Sequence, residues 1–366
     1  MTAFSPERTR DALRSGAPGR LLLRLLSVAY SAGMAARKAL YDRGVMRRRR
    51  LPVPVVCFGN ISAGGTGKTS TVVTAALELA RSGRRPAVLL RGYKRGDPSG
   101  VTVLAKGRPV SLEEAGDEAL MLYRMLEPAG VPVLVSADRF ASGTIAAAEL
   151  GADILLLDDG FQHFALERDV DIVLVNATAP FSADSVLPGG NLREPASALA
   201  RADAVIITHC EQVSQEAIDS LHAEIKRLSP DAEIIESMHS PETFIDPATA
   251  TQVDLNTLKG RQASVLSGIG DPGSFEGVLK KMKIELKQIW RYPDHHVFTA
   301  QELAAAETAR EGLPLITTYK DFARFPSGWQ QLLGGGVLIL SVKIVFLCNG
   351  WKTLMRLVDG AGRTGD

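Results

Sequence analysis

Cysteine is scarce in this 366-residue chain: Cys57, Cys210 and Cys348 stand far apart with no C-x-x-C pair. That spacing argues against a disulfide framework or a zinc site and fits a reducing cytoplasm. Long apolar runs are also missing. The uncharged stretch 25–36 has twelve residues, whereas a helix crossing a hydrocarbon core needs roughly 20. No internal repeat, heptad array or low-complexity tract is present, and the net charge is only +1. What is present is 45% hydrophobic residues, enough to bury a large core and to form two domains.

The small net charge conceals an asymmetry. Residues 1–50 hold twelve Lys or Arg against three acidic residues, a net +9, which leaves −8 for the remainder. Leu21 to Leu23 and the stretch 25–36 are followed by Arg37, Lys38, Arg43 and Arg47 to Arg50. A helix of this kind lies in a membrane interface, with its apolar groups at the acyl boundary and its arginines on anionic headgroups. The alternative is a packing helix with a solvated basic face.

An apolar run over 53–58 leads into Asn60-Ile61-Ser62-Ala63-Gly64-Gly65-Thr66-Gly67-Lys68-Thr69, and a helix-like run over 71–80 follows. Strand, glycine-rich turn and helix in this order make a phosphate-binding loop. Backbone amides of Ser62, Ala63, Gly64, Gly65, Thr66 and Gly67 turn toward the phosphates of ATP, Lys68 reaches the outer ones, and the Thr69 hydroxyl ligates Mg2+. The strict pattern has glycine where Ser62 stands, so the loop is a variant. About ninety residues on, Ile154-Leu155-Leu156-Leu157-Asp158-Asp159-Gly160 has the form of a buried strand that delivers carboxylates beside such a loop. Asp158 or Asp159 is then the second metal ligand.

The apolar runs 53–59, 87–90, 131–135, 154–157, 172–175 and 204–208 alternate with helix-like segments. That alternation predicts an α/β fold, a P-loop NTPase-like, mostly parallel sheet with helices on both faces. Ser240 to Pro247 contains two prolines and reads as a connection. Strand-like runs at 263–268, 337–340 and 344–347 and a helix near 351–358 then form a smaller α/β unit. The expected division is 1–50 as a basic membrane-associating segment, 51–245 as the P-loop core, and 246–366 as the smaller carboxyl-terminal domain.

Several further motifs accompany the loop in order. They are Gly59-Asn60-Ile61-Ser62, Arg91-Gly92-Tyr93, Gly116-Asp117-Glu118, Ala137-Asp138-Arg139, Asp158-Asp159-Gly160-Phe161-Gln162-His163, Leu187-Pro188-Gly189-Gly190 with Leu192-Arg193-Glu194-Pro195, and Pro293-Asp294-His295. Over about residues 20–325 the chain resembles the tetraacyldisaccharide 4'-kinase family, the lipid A kinases of Gram-negative bacteria. Asn191 and Tyr319 depart from the family pattern.

The resemblance implies transfer of the γ-phosphate of ATP to the 4'-hydroxyl of a tetraacyldisaccharide 1-phosphate. It implies Asp117 as catalytic base working with His295, His296 being the adjacent alternative. Arg91, Arg139, His163, Arg193 and Glu194 would lie near the disaccharide and its 1-phosphate, where arginine suits a phosphate through charge-assisted bonds. Read without the family, Asp117 is a helix cap. The expected partners are the lipid A disaccharide precursor and the lipid surface of the inner membrane, with peripheral attachment at its cytoplasmic face. No nucleic acid and no obligatory protein partner are expected. The rival function is a membrane-associated P-loop ATPase of the partition or switch type, but such loops begin K-G-G-x-G-K-T and Ala63 takes the place of that lysine.

Overall fold

The computed structural model describes residues 10, 13–63, 66–92, 100–108, 110–181, 184–294 and 296–361. An amino-terminal helix α1 (Ala17–Asp42) precedes strand β1 (Val55–Gly59), helix α2 (Lys68–Arg81), β2 (Pro86–Leu90), β3 (Thr102–Leu104), α3 (Asp117–Leu126), β4 (Val133–Val135), α4 (Arg139–Ala148), β5 (Ile154–Asp158), β6 (Val170–Asn176), β7 (Ala204–Thr208), α5 (Gln215–Leu228) and β8 (Glu233–Asp246). The chain continues through β9 (Thr251–Val253), β10 (Gln262–Ser267), α6 (Pro272–Lys281), β11 (Glu285–Arg291), α7 (Ala300–Ala309), β12 (Leu315–Thr317), the short α8 (Tyr319–Phe322), β13 (Val337–Phe346) and α9 (Gly350–Gly360). All the strands belong to one sheet, in the order β11-β10-β12-β13-β8-β7-β6-β1-β5-β2-β4-β3, with β9 pairing β8.

The first half is parallel from β8 to β4, and it is covered on both faces. Because side chains alternate across a strand, each strand supplies two cores. Cys57, Leu155, Leu157, Val173, Val205 and Ile207 face the side roofed by Ala146 of α4 and by Ile218, Leu221 and Ile225 of α5. Val56, Phe58, Leu156, Ile172, Leu174 and Ile206 face the other side, under Val72 and Leu79 of α2 and Leu122 and Leu126 of α3. Each such fully buried side chain contributes about 1.5–3 kcal/mol. That double burial is why these strands are legible as unbroken apolar runs.

Residues 240–247, expected to be a connection, lie instead mostly within the long strand β8. Its Pro241 sits opposite Val342 of β13, where the antiparallel register shifts between Ser341 and Val342. A proline costs no ladder hydrogen bond at such a bulge, which is how the strand passes through it. The runs 337–340 and 344–347, expected as separate strands, are likewise largely one strand, β13, paired with β8 along its length. Strand β8 therefore belongs to both halves: its first part pairs β7 and its second part pairs β13. The carboxyl-terminal half has its own cores, around Phe244, Val265 and Leu340 and around Phe298, Leu303 and Trp329. Helix α9 returns to the first half, where Leu354 and Val358 join the core beneath α2.

Helix α1 packs on the loop 184–192. Ser27 Oγ donates to the Val186 carbonyl at 2.8 Å and accepts from the Gly189 N–H at 2.9 Å. Arg14 donates to the Gly189 carbonyl at 2.6 Å, and Arg10 to the Asn191 side-chain oxygen at 2.8 Å. Leu23, one turn before Ser27, is buried, whereas Leu21, Leu22, Leu25, Leu26 and Val28 are exposed. Among the described residues no helix is long and apolar enough to cross a membrane.

Candidate active site

The site forms where β1 and β5, paired in parallel, reach their carboxyl ends. Gly67, with φ +77°, turns the loop into α2, and its carbonyl accepts from the Thr71 amide and hydroxyl. A side chain could not be accommodated there: a Cβ would approach the His239 ring to 2.9 Å. Asn60, fully buried at the end of β1, donates to Thr66 Oγ1 at 3.2 Å, and Thr208 Oγ1 donates to the Thr66 carbonyl at 3.2 Å. The loop is thus braced by β1 and β7. Gly64 and Gly65 lie outside the described residues.

Lys68 Nζ stands 3.5 Å from Thr66 Oγ1 and 3.6 Å from Asp159 Oδ1. Thr69 Oγ1 lies 3.5 Å from Asp158 Oδ2. The two carboxylates differ in setting. Asp158 is 4% exposed, and burial, followed by the nearby charge of Glu118, pushes it up to about 8 despite Lys68. Asp159 leaves the strand with φ +56°. Burial opposes its charge, but Lys68 and Arg193 outweigh that and hold it below the usual carboxylate range.

Arg193 is positioned by the segment that follows the 184–192 loop. Its amide donates to the Ile61 carbonyl at 2.7 Å, and the Ala63 amide donates to the Asn191 carbonyl at 2.7 Å, so this segment lies along the phosphate loop itself. Asn191 is therefore a scaffold residue, tied through its carbonyl to Ala63 and through its side chain to Arg10. Glu194, 4% exposed, accepts from both terminal nitrogens of Arg201 at 2.9 Å and from Gln162 at 2.8 Å. Gln162 also donates to the Asn60 carbonyl at 2.9 Å. This buried network joins three of the motifs.

Arg91, Arg139 and His163 gather apart from that network. Asp138 caps α4 by accepting from the Phe140 and Ala141 amides, which leaves Arg139 as the first helical residue, 3% exposed. Burial and the charge of Arg91 bring Arg139 down to about 10. His163 is brought down to about 4 by burial, then by Arg139, Arg168 and Arg37. Among the described residues, Arg139 Nε and His163 Nε2 are buried without a hydrogen-bond partner. An unpartnered guanidinium nitrogen beside other cations is suited to an anionic group.

Asp117 is the first residue of α3, after Gly116 at the cap position, and Asp117 Oδ1 accepts from the Glu118 amide at 2.9 Å. Its other oxygen lies 3.8 Å from Arg324 Nε. Glu118 is solvent-exposed at the cleft mouth, and its carboxyl is raised by partial desolvation, then by Asp159. His295 lies outside the described residues. Its neighbours are placed: Asp294 pairs with Lys320 at 2.9 Å, and the His296 ring stacks on Tyr292 and meets Glu302 at 3.0 Å, engaged with α7. Tyr319 stands beside Lys320 at the start of α8.

Sequence reasoning missed Arg201, Gln162 as a brace, Arg324, and the stacked His209 and His239 rings, 4.2 Å apart beside Gly67. Gln162 at least lies inside a named motif. Arg201 follows Glu194 by seven residues but lies outside any named motif, while Arg324 and the two histidines come from distant segments.

The chain is similar to known proteins over most of its length. Residues 19–359 match the family Tetraacyldisaccharide-1-P 4'-kinase. The tetraacyldisaccharide 4'-kinase of Elusimicrobium minutum is 41% identical over 340 residues, covering 92% of this chain and 91% of the relative. That of Anaeromyxobacter dehalogenans is 39% identical over 333 residues, covering 90% and 86%. The crystal structure of an "apo" form of LpxK from Aquifex aeolicus, in complex with ATP, is similar with a TM-score of 0.74 and 31% identity over 93% of this chain and 99% of its own. With the phosphate loop, the paired carboxylates and the Arg193 segment meeting in one cleft, the chain belongs to the tetraacyldisaccharide-1-P 4'-kinase family.

Proposed function

We propose that this protein transfers the γ-phosphate of ATP to the 4'-hydroxyl of a tetraacyldisaccharide 1-phosphate, working peripherally at the cytoplasmic face of the inner membrane. The observation that carries the reading is the convergence of Lys68, Thr69, Asp158, Asp159 and Arg193 on one cleft, with Asp117 and Glu118 at its mouth. In this reading residues 51–245 handle the nucleotide, 246–366 complete the cleft from the carboxyl-terminal side, and 1–50 meet the lipid surface.

Loop amides from Ser62 to Gly67 and the Lys68 ammonium hold the phosphates in line with the acceptor. Thr69 and Asp158 offer hard oxygen donors that fit Mg2+. Asp158 is the better direct ligand, since Asp159 already serves Arg193 and Lys68. When bound, the ion would spread the charge of the phosphate oxygens. Asp117 accepts the 4'-hydroxyl proton, with His295 as its partner. Arg91, Arg139 and His163 take the acceptor's 1-phosphate, supported by the unpartnered Arg139 Nε and His163 Nε2. Arg193 orients the reacting end, and Glu194 fixes the pocket wall through Arg201 and Gln162.

The test is transfer from labelled ATP to a tetraacyldisaccharide 1-phosphate dispersed in detergent. Wild type should label the acceptor, and Lys68→Ala should lose at least about 100-fold in turnover, as removal of a charge aimed at the transition state does. Unchanged transfer by Lys68→Ala would overturn the assignment of the cleft.

A further inference from the structure

Arg324 heads the largest side chains that are fully buried among the described residues, at 2% exposure. Three backbone segments hold its guanidinium. Nε donates to the Lys320 carbonyl at 2.9 Å, Nη1 to the His296 carbonyl at 3.1 Å, and both terminal nitrogens to the Gly268 carbonyl at 3.2 Å. Nη2 also donates to Asp321 Oδ1 at 2.9 Å, and the same oxygen accepts from the Gly268 amide at 2.9 Å. This set already satisfies a buried arginine whose purpose is to staple the end of β10, His296 and α8 together. The staple does not require a second carboxylate. Nevertheless Asp117 Oδ2, delivered by α3 from the other half of the sheet, lies 3.8 Å from Nε.

We propose that Arg324 is a positioning residue for Asp117, its charge drawing the carboxylate toward the carboxyl-terminal half and favouring the ionised form. The proposal rests on the reading of Asp117 as the base. Its consequence is that the base is set only when the carboxyl-terminal half is seated, because the cation comes from one half and the carboxylate from the other. Among the described residues, the other charged groups around this end of α3 include Glu118 on the same helix, Lys68 and Asp159 across the cleft, Lys320 with its partner Asp294, and Asp321 behind the guanidinium. Glu118 repels the Asp117 carboxylate, so a nearby cation has an effect to exert.

The experiment is the pH profile of kcat/KM for the full chain, with ATP and detergent-dispersed acceptor, read beside KM for ATP and thermal melts. An opposite charge at this range lowers a carboxylate pKa by about 1–3 units, so Arg324→Gln should move the acid limb up by about one unit or more, with KM for ATP unchanged. Arg324→Lys keeps the charge while losing the forked carbonyl contacts, and should leave the limb near its wild-type position even if it melts lower. A purely structural arginine predicts the reverse: both variants melt lower and neither shifts the limb. That result would overturn the proposal.

If Arg324→Gln does not fold, Asp321→Asn takes its place. It leaves the guanidinium charge to Asp117 alone, and the limb should move down; a limb that stays or rises overturns the proposal. Asp117→Asn separates the two readings. An acid limb that survives intact in Asp117→Asn ends the base assignment and this inference with it. A limb lost there yet unmoved in Arg324→Gln ends only the role given to Arg324.

Discussion

One nitrogen of Arg193, Nη1, donates to both carboxylate oxygens of Asp159, at 2.8 and 2.7 Å. The contact ties the 192–195 segment to the end of β5, and it decides how the two neighbouring aspartates divide their work. Asp159 is committed to two cations, which leaves Asp158 with the Thr69 hydroxyl and, among the described residues, no salt bridge of its own.

Arg193→Ala should lower kcat/KM by about 10- to 100-fold, in line with the roughly 1.5–3 kcal/mol of a hydrogen bond to a charged group. Arg193→Lys should recover part of that loss, because a single nitrogen makes the contact. Steady-state kinetics on both variants checks this, and a lysine variant no better than alanine would count against it.

The Asp158 carboxyl makes metal-free stability depend on pH. Its folded pKa of about 8 lies above the ordinary aspartate value, so between roughly pH 4 and 8 the folded protein binds more protons than the unfolded chain. This contribution is therefore fully present at low pH and is lost as pH rises toward 8. Asp158→Asn should melt higher than wild type at pH 8 in chelator, on the order of 2 °C for each kcal/mol recovered, and the gap should close toward pH 4. Mg2+ should stabilise wild type more at pH 8 than at pH 6, since it needs the ionised form. Melting curves across pH provide the measurement; a pH-independent gap would contradict it.

Membrane attachment should follow the outward face of α1. Changing Leu21, Leu22, Leu25 and Leu26 together to Gln leaves Leu23 and Ser27, which dock the helix, untouched. The variant should fail to float with anionic vesicles while still phosphorylating detergent-dispersed acceptor. High salt should loosen wild type only in part and detergent should release it fully, because salt screens the arginines and not the apolar face. A variant that still floats would exclude this face as the anchor.

The parallel strands of the first half other than β8 were legible because burial on both faces leaves no polar alternation to blur them, and β7 matches its expected bounds over 204–208. Strand β11 was not: its Glu285, Lys287 and Arg291 are exposed at the sheet edge and break up Leu286, Ile289 and Trp290, so no continuous apolar run marks it. The prolines of 240–247 concealed β8, since a bulge that tolerates Pro241 depends on the partner strand a hundred residues away. The same holds in the site. Lys68, Thr69 and the carboxylates are local motifs, whereas Arg201 beneath Glu194 and Arg324 beside Asp117 are placed by tertiary packing alone.

Strand β8 has a practical consequence. Anyone dividing this chain into fragments would be drawn to the proline-containing stretch near residue 245, yet a cut there severs a single hydrogen-bonded ribbon shared by β7 and β13. Both pieces would carry a raw sheet edge, and the shorter one would also take away α9, whose Leu354 and Val358 plug the core under the phosphate loop. Neither fragment should stay soluble on its own, and activity should return only if the two are made together, as in split-protein complementation.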